Sequence, residues 1–244
     1  PVLSASLLRR EGGLLRVLAT FSAAPPVVAS TVVPGCFDTL LAQAGARVDD
    51  VGVLVAGLGP GLFTGLRTAL ATMKAIAYAR KLPLLGAGSL EALSYTAAQG
   101  RTPVEGDVIH AHAIGASTLV APVLDARKGE TYAAVHRWTE AGLVIQTPAF
   151  APKQAEFREF LAALGEPVVV VGTGAVTLGE LPPNVTRASV EPTPSSATIA
   201  ALALAATPAP EFDLGHVLAV EPFYLRPPEA EVARQKRLEQ QKTA

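Results

Sequence analysis

Apolar positions recur along this chain in two rhythms. Val2 to Leu8 and Leu14 to Phe21 are short apolar runs joined by Arg9, Arg10, Glu11, Gly12 and Gly13, which predicts a β-hairpin with a glycine turn. Val28, Val32, Phe37, Leu40, Leu41 and Ala44 then follow helical spacing, with Gly45 as a stop and Pro34 marking either a start or a kink. The stretch from Val51 to Lys81 organises the rest. An apolar strand (Val51 to Ala56) passes through a loop holding Gly57, Gly59, Pro60, Gly61 and Gly65 into a long helix charged only at Arg67, Lys74, Arg80 and Lys81. A helix apolar nearly all round needs covering on more than one side, either by its own domain alone or by its domain and a second molecule.

Pro83 to Ala87 predicts a short strand, and Ser89 caps a helix to about Ala98 with Glu91 in its first turn. Gln99 to Ser117 is polar and glycine-containing, a loop. Leu119 to Leu124 and Thr131 to Trp138 form a second hairpin around a charged tip, Asp125 to Glu130, and Leu143 to Gln146 continue the sheet. Phe157, Phe160, Leu161 and Leu164 mark an amphipathic helix ended by Gly165, before a strongly apolar strand, Val168 to Val171, closed by Gly172, Thr173 and Gly174. Thr198 to Ala206 is an alanine-rich helix capped by Ser195 or Ser196. Glu221 to Arg226 predicts a last strand, and the charged residues after Glu229 a fraying tail.

The loop before the long helix invites comparison with phosphate cradles, because glycine turns and helix N-terminal amides attract anions. Its spacing fits neither common pattern. Gly65 is followed by Leu66 and Arg67 where a P-loop has lysine, and Leu62 stands where a dinucleotide fingerprint has its third glycine. The structural alternative is a strand turning sharply into a helix. Likewise, Asp125 and Arg127 either orient a ligand or form an ordinary solvated hairpin end.

Lys and Arg total 20 against 21 acidic residues, so overall charge provides no footprint for gripping nucleic acid directly. Cys36 is the single cysteine and has no internal disulfide partner, which suits a reducing cytoplasm. No apolar run is long enough to cross a bilayer, and no signal segment opens the chain. His110 and His112 lack the further ligands a metal needs, so no metal site is assigned. No GxSxG elbow, Cys/His pair or carboxylate pair at catalytic spacing is present either, and no catalytic residue is assigned.

GLGPGLFTGLRTALATMKAIA resembles the GxGPGSFTGLRIGLA signature of the TsaB (YeaZ) family, and GAGSLEALS, LDARKGETYAAV, GTGA and PFYLRPPEAE follow in the family's order. The resemblance implies a two-lobed α/β fold of the actin, Hsp70 and sugar-kinase (ribonuclease H-like) type, with mixed sheets flanked by helices. The expected division is an N-terminal lobe over 1–108, a smaller lobe over 109–206, and a strand and tail over 207–244 returning to the first lobe. Chain start at Pro1 and the lack of the family's DTST-type turn suggest a missing N-terminal segment.

The family's role implies a cytoplasmic, non-catalytic partner of TsaD in threonylcarbamoyl transfer to adenosine 37 of ANN-decoding tRNAs. TsaE would join the assembled complex, tRNA would bind only through it, and the chain alone would pair with itself. ATP and metal would belong to TsaD or the complex, with no cofactor in this chain. By matching, the partner interface would hold Phe37, Leu40, Leu41, Leu66, Leu70, Met73, Lys74, Ala77 and Tyr78, and the signature loop Gly59, Pro60, Gly61, Phe63, Thr64, Gly65 and Arg67. Leu66, Leu70, Met73 and Ala77 share one helical face, which serves equally as ordinary core. Leu62 departs from the family's serine. The alternatives are a metal-independent, glycoprotease-like hydrolase, which the lack of the paired-histidine metal motif opposes, and a small-molecule kinase of the same superfamily.

Overall fold

β9 (Val168–Val171) is a run of four valines because both of its faces are buried. It lies between two parallel neighbours, β6 (Leu119–Asp125) and β10 (Val185–Arg187). β7 (Thr131–Thr139) and β8 (Gly142–Phe150) add antiparallel on the far side of β6, which completes a mixed five-stranded sheet in the order β10-β9-β6-β7-β8. These elements belong to a computed structural model that describes residues 3–23, 29–99, 106, 108–109, 118–139, 142–190, 192–207 and 210–226.

The N-terminal hairpin pairs β1 (Leu3–Glu11) with β2 (Leu14–Ala23) around Gly12 and Gly13, whose φ values of 56° and 88° a two-residue turn between twisted strands requires. Helix α1 (Ala29–Gln43) contains Pro34 in its interior, so the proline does not mark its start. The first parallel pair is β3 (Leu54–Gly57) and β4 (Leu84–Ala87), linked by helix α2 (Phe63–Arg80). β3 starts later than the apolar run suggests, because Val48–Asp50 forms a 3-10 turn and Val51 to Val53 connect it to the strand. Helix α3 (Ser89–Gln99) begins at the expected serine. Within the stretch expected to be loop, β5 (Val108–Ile109) pairs with β2. His110, His112 and the tail after Arg226 lie outside the described residues.

Helix α4 (Gln154–Ala163) and the short α5 (Thr173–Thr177) cover one face of the five-stranded sheet. Alternation along the strands separates two apolar layers: Leu119, Ala121 and Val123 face this outer layer with Phe157 and Leu161, whereas Val120 and Leu124 face inward. The inward layer takes Leu90, Leu93 and Tyr95 from α3, Ala197, Ala201 and Leu204 from α6 (Ser196–Ala206), and Leu15, Val17 and Leu85 from the N-terminal strands. Ser195 is the cap of α6, its hydroxyl accepting from the Thr198 amide. A third layer joins Leu54, Ala56 and Leu84 to Leu70 and Ala77 of α2.

The C-terminal part differs from the sequence reading. Leu214–Ala219 forms a helix, α7, capped by Asp213, whose carboxylate accepts the amides of Gly215 and His216. Glu221 to Arg226 is irregular and not a strand: the Phe223 amide donates to the Leu58 carbonyl at 2.7 Å, and the chain bends at residues 225 and 226.

One polar group sits at the centre. His136 is 1 % exposed, its Nδ1 lies 2.8 Å from the Ser94 hydroxyl, and Trp138 Nε1 donates to the Ser94 carbonyl. Burial lowers the His136 pKa to about 4, so the neutral ring is the folded form. The unfolded chain binds this proton near pH 6.5, hence the contribution is complete above pH 6.5 and is lost as pH falls toward 4, up to about 3 kcal/mol. His136→Asn keeps a polar atom near the Ser94 hydroxyl but does not titrate. The stability gap between wild type and this variant, from urea midpoints, should narrow from pH 7 to pH 5, and a constant gap would contradict the assignment.

Candidate interaction surface around the signature loop

β3 delivers the chain into the signature loop, and neighbouring backbone holds the loop in place. The Leu58 amide donates to the Ala87 carbonyl at 2.9 Å, and the Ser89 amide to the Gly59 carbonyl at 2.7 Å. Gly59 has φ 97° and precedes a cis bond to the buried Pro60. A Cβ on Gly59 would stand 2.9 Å from the Leu66 side chain and 3.2 Å from the Phe223 carbonyl oxygen. That glycine is needed for both conformation and space. Gly61 and Gly65 meet only ordinary contacts, and Thr64 accepts the Thr68 hydroxyl through its carbonyl.

Beyond the loop, the C-terminal segment runs back along α2. Lys74 Nζ donates to the Leu218 carbonyl at 2.7 Å, and Lys81 Nζ sits over the rings of Tyr78 and Phe212, 4.5 and 5.2 Å from their centroids. At the other end the Arg67 guanidinium lies 4.4 Å over Phe63, its Nε donates to the Tyr224 hydroxyl at 3.3 Å, and the Phe63 and Tyr224 rings are 5.1 Å apart. The stripe of Arg67, Lys74 and Lys81 therefore grips α7 and the segments on either side of it.

The residues matched to a partner interface fall into different environments. Leu40, Leu70 and Ala77 are buried at 6 %, 5 % and 0 % exposure, and Phe37 and Met73 pack half-buried against the core under α2. Leu41, Leu66 and Lys74 are half-buried. Tyr78 is 57 % exposed. The inward face of α2 is thus the one carrying Leu70 and Ala77. Its outward face is the stripe Ala71, Ala75, Tyr78 and Ala79, beside the exposed Pro34, Asp38 and Ala42 of α1. Sequence reasoning passed over these alanines, although their four-residue spacing was there to be read. Leu62, Leu218 and Phe223 are further exposed apolar residues, at 47 %, 62 % and 48 %.

The second glycine turn is filled from within. A Cβ on Gly172, at φ 113°, would run into the Val123 carbonyl, and one on Gly174 would stand 2.5 Å from the Val123 side chain. The Asp125 amide donates to the Thr173 hydroxyl at 3.2 Å, tying the turn to the β6–β7 hairpin. Ser94 and His136 are within hydrogen-bonding distance, but at 0 % and 1 % exposure no substrate reaches them. Among the described residues no three His, Cys, Asp or Glu side chains gather, and no helix is long and apolar enough to cross a membrane. Cys36 is buried in α1, where its thiol donates to the Val33 carbonyl and burial raises its pKa.

Residues 29–233 match the family described as TsaD, tRNA N6-adenosine threonylcarbamoyltransferase. The chain belongs to that family. Within it, the chain is 31 % identical over 136 residues to the tRNA threonylcarbamoyladenosine biosynthesis protein TsaB of Escherichia coli (strain K12), covering 55 % of this chain and 53 % of that protein. It is 28 % identical over 134 residues to the protein of the same name from Bacillus subtilis (strain 168), covering 55 % and 52 %. The chain thus spans about half the length of the curated relatives it matches. The sequence resemblance to TsaB is met by these relatives.

The fold is shared with YeaZ from Pseudomonas aeruginosa, at TM-score 0.65 and 20 % identity over 91 % of this chain and 94 % of that one. A second solved structure, an uncharacterized protein with similarity to peptidase YEAZ from Pseudomonas aeruginosa, superposes at TM-score 0.67 and 22 % identity over 92 % and 94 %. The mixed α/β architecture of the family is the one read from the sequence.

The two sides of α2 differ in what substitution does. Leu70→Ala should lower unfolding stability by about 2–5 kcal/mol, whereas Tyr78→Ala should change it by less than about 1 kcal/mol. Chemical denaturation midpoints of the two variants check this, and similar losses would refute the inward assignment of Leu70.

Proposed function

We propose that this chain is a non-catalytic subunit that binds a TsaD-family catalytic subunit in tRNA threonylcarbamoyladenosine biosynthesis, with α1 and α2 as its contact surface. The observation that carries the reading is the outward stripe of α2: Ala71, Ala75, Tyr78 and Ala79 are small or apolar and exposed on the longest helix, next to the exposed face of α1. Small residues let a second pair of helices approach closely, and Tyr78 supplies the kind of aromatic anchor that dominates interface energetics. The names of the curated relatives supply the pathway.

Two observations favour this reading over the alternatives. A hydrolase needs an accessible nucleophile, and the Ser94–His136 pair is enclosed. At the glycine turn after β9, where a kinase would hold phosphate, Gly172 and Gly174 pack against the backbone and side chain of Val123, so close packing alone accounts for these glycines. In the proposed complex, ATP and metal sit on the catalytic subunit, TsaE joins the assembly, tRNA is held by the complex, and the whole works in the cytoplasm. When the partner is absent the same α1–α2 face pairs two copies of this chain.

Sedimentation of the chain with the TsaD-family catalytic subunit of the same organism tests the proposal, comparing wild type with Ala75→Glu. Ala75 is exposed on a helix, so glutamate leaves the fold intact but places an unpaired charge in a buried interface. Binding should weaken at least about tenfold, equivalent to about 1.4 kcal/mol, with an unchanged melting temperature. No complex with the wild type would refute the function, and full-strength binding by Ala75→Glu would refute the surface.

A further inference from the structure

Residues 221–226 touch two parts of the molecule distant in sequence. Val217 and Val220, at 1 % and 8 % exposure, anchor α7 in the core beneath α2, so the segment leaving α7 starts from a fixed point. Phe223 then donates its amide to Leu58 and rests its carbonyl in the space left by the missing Cβ of Gly59. Tyr224 closes over Phe63 and accepts from Arg67 in the first turns of α2. Arg226 ends the segment in an ion pair with Glu130, at the tip of the β6–β7 hairpin.

That tip is strained. Arg127 and Lys128 have φ values of 63° and 54° in succession, a left-handed conformation unfavourable for side chains other than glycine, followed by Gly129 at 76°. The turn is held by the Ala126 amide on the Glu130 carbonyl, the Glu130 amide on the Arg127 carbonyl, and the Arg127 amide on the Asp125 carboxylate. Glu130 belongs to this turn through its backbone and to the C-terminal segment through its side chain. Its ion pair is about 30 % exposed at both partners. Such pairs hold weakly and open readily.

We propose that residues 221–226 form a latch that couples the β6–β7 hairpin tip to the signature loop and the start of α2. The strained turn sets the position of Glu130. Glu130 holds Arg226, and Arg226 keeps the Phe223 and Tyr224 contacts closed. Relaxation of the tip, or an outside group that draws Arg226 away, loosens the loop at the mouth of α2. The latch stands on these intramolecular contacts and is independent of the partner proposed above.

Hydrogen exchange on the full chain reads the latch directly, because the Phe223 amide bonds to Leu58 and the Leu66 amide bonds to Leu62 at the first turn of α2. Glu130→Gln and Arg226→Gln should each speed exchange at both amides by about two- to fivefold, the range expected from losing a partly exposed ion pair. The double variant should do no more than either single one. Exchange in β9 and β10 and the melting temperature should stay at wild-type values. Unchanged exchange at Phe223 and Leu66, additive effects in the double variant, or faster exchange across the five-stranded sheet would each overturn the latch.

Discussion

Between the five-stranded sheet and the N-terminal strands β1 to β4 lies a layer of two helices, α3 and α6, and α6 fits there by being built mostly of alanine. Ala197, Ala200, Ala201 and Ala203 are buried, with Ile199 and Leu204 as its larger members. The fit is close: a Cβ on Gly57 would stand 3.1 Å from Ile199. α3 shares the layer, and its leucines Leu90 and Leu93 are fully buried, each contributing about 1.5–3 kcal/mol of transfer free energy as an upper bound. Because the sequence commits its apolar residues to this middle layer, polar groups of α3 must find partners inside it. Ser94 does so with His136 and Trp138, and Thr96 with the Ala92 carbonyl.

The same layer decides what remains outside. With α3 and α6 enclosed, the outer helices carry the surface available for recognition. α2 turns Leu70 and Ala77 inward, seven residues apart, and this fixes Ala71, Ala75, Tyr78 and Ala79 on the opposite side. One flank of α2 is already taken by α7 through the Lys74–Leu218 bond, and another by α1. What α2 leaves uncovered is a narrow stripe of small side chains, flanked by cations that serve the protein's own C-terminal segment.

Strands and their turns were legible wherever local chemistry and burial agreed. Gly12 and Gly13 sit in the left-handed turn that their type suggests, Val168, Val170 and Val171 of β9 are buried, and Ser195 caps α6. Long-range decisions were harder to read. Periodicity identified α2 but did not say which of its apolar sides turns inward, because that depends on β3 and β4 arriving from elsewhere in the chain. α7 is a single short element whose main sign is the Asp213 cap, and apolar Phe223 to Leu225 looked like a strand although their role is to lie across Gly59. The motif PFYLR carried no hint that its arginine would meet Glu130, since a charged pair 96 residues apart leaves no pattern along the sequence.

Both glycine turns show how one residue type serves different ends at the same place in a fold. A strand ending in glycine opens room for close approach, and what approaches is decided by the surrounding chain. After β3 the room at Gly59 is taken by the Phe223 carbonyl, and after β9 the room at Gly172 is taken by the Val123 carbonyl. Each glycine lets one segment of backbone lie against another where a Cβ would otherwise stand. The glycines therefore work as joints between segments: the first fastens the C-terminal segment to α2, and the second fastens α5 to the β6–β7 hairpin, whose tip the same C-terminal segment reaches through Arg226.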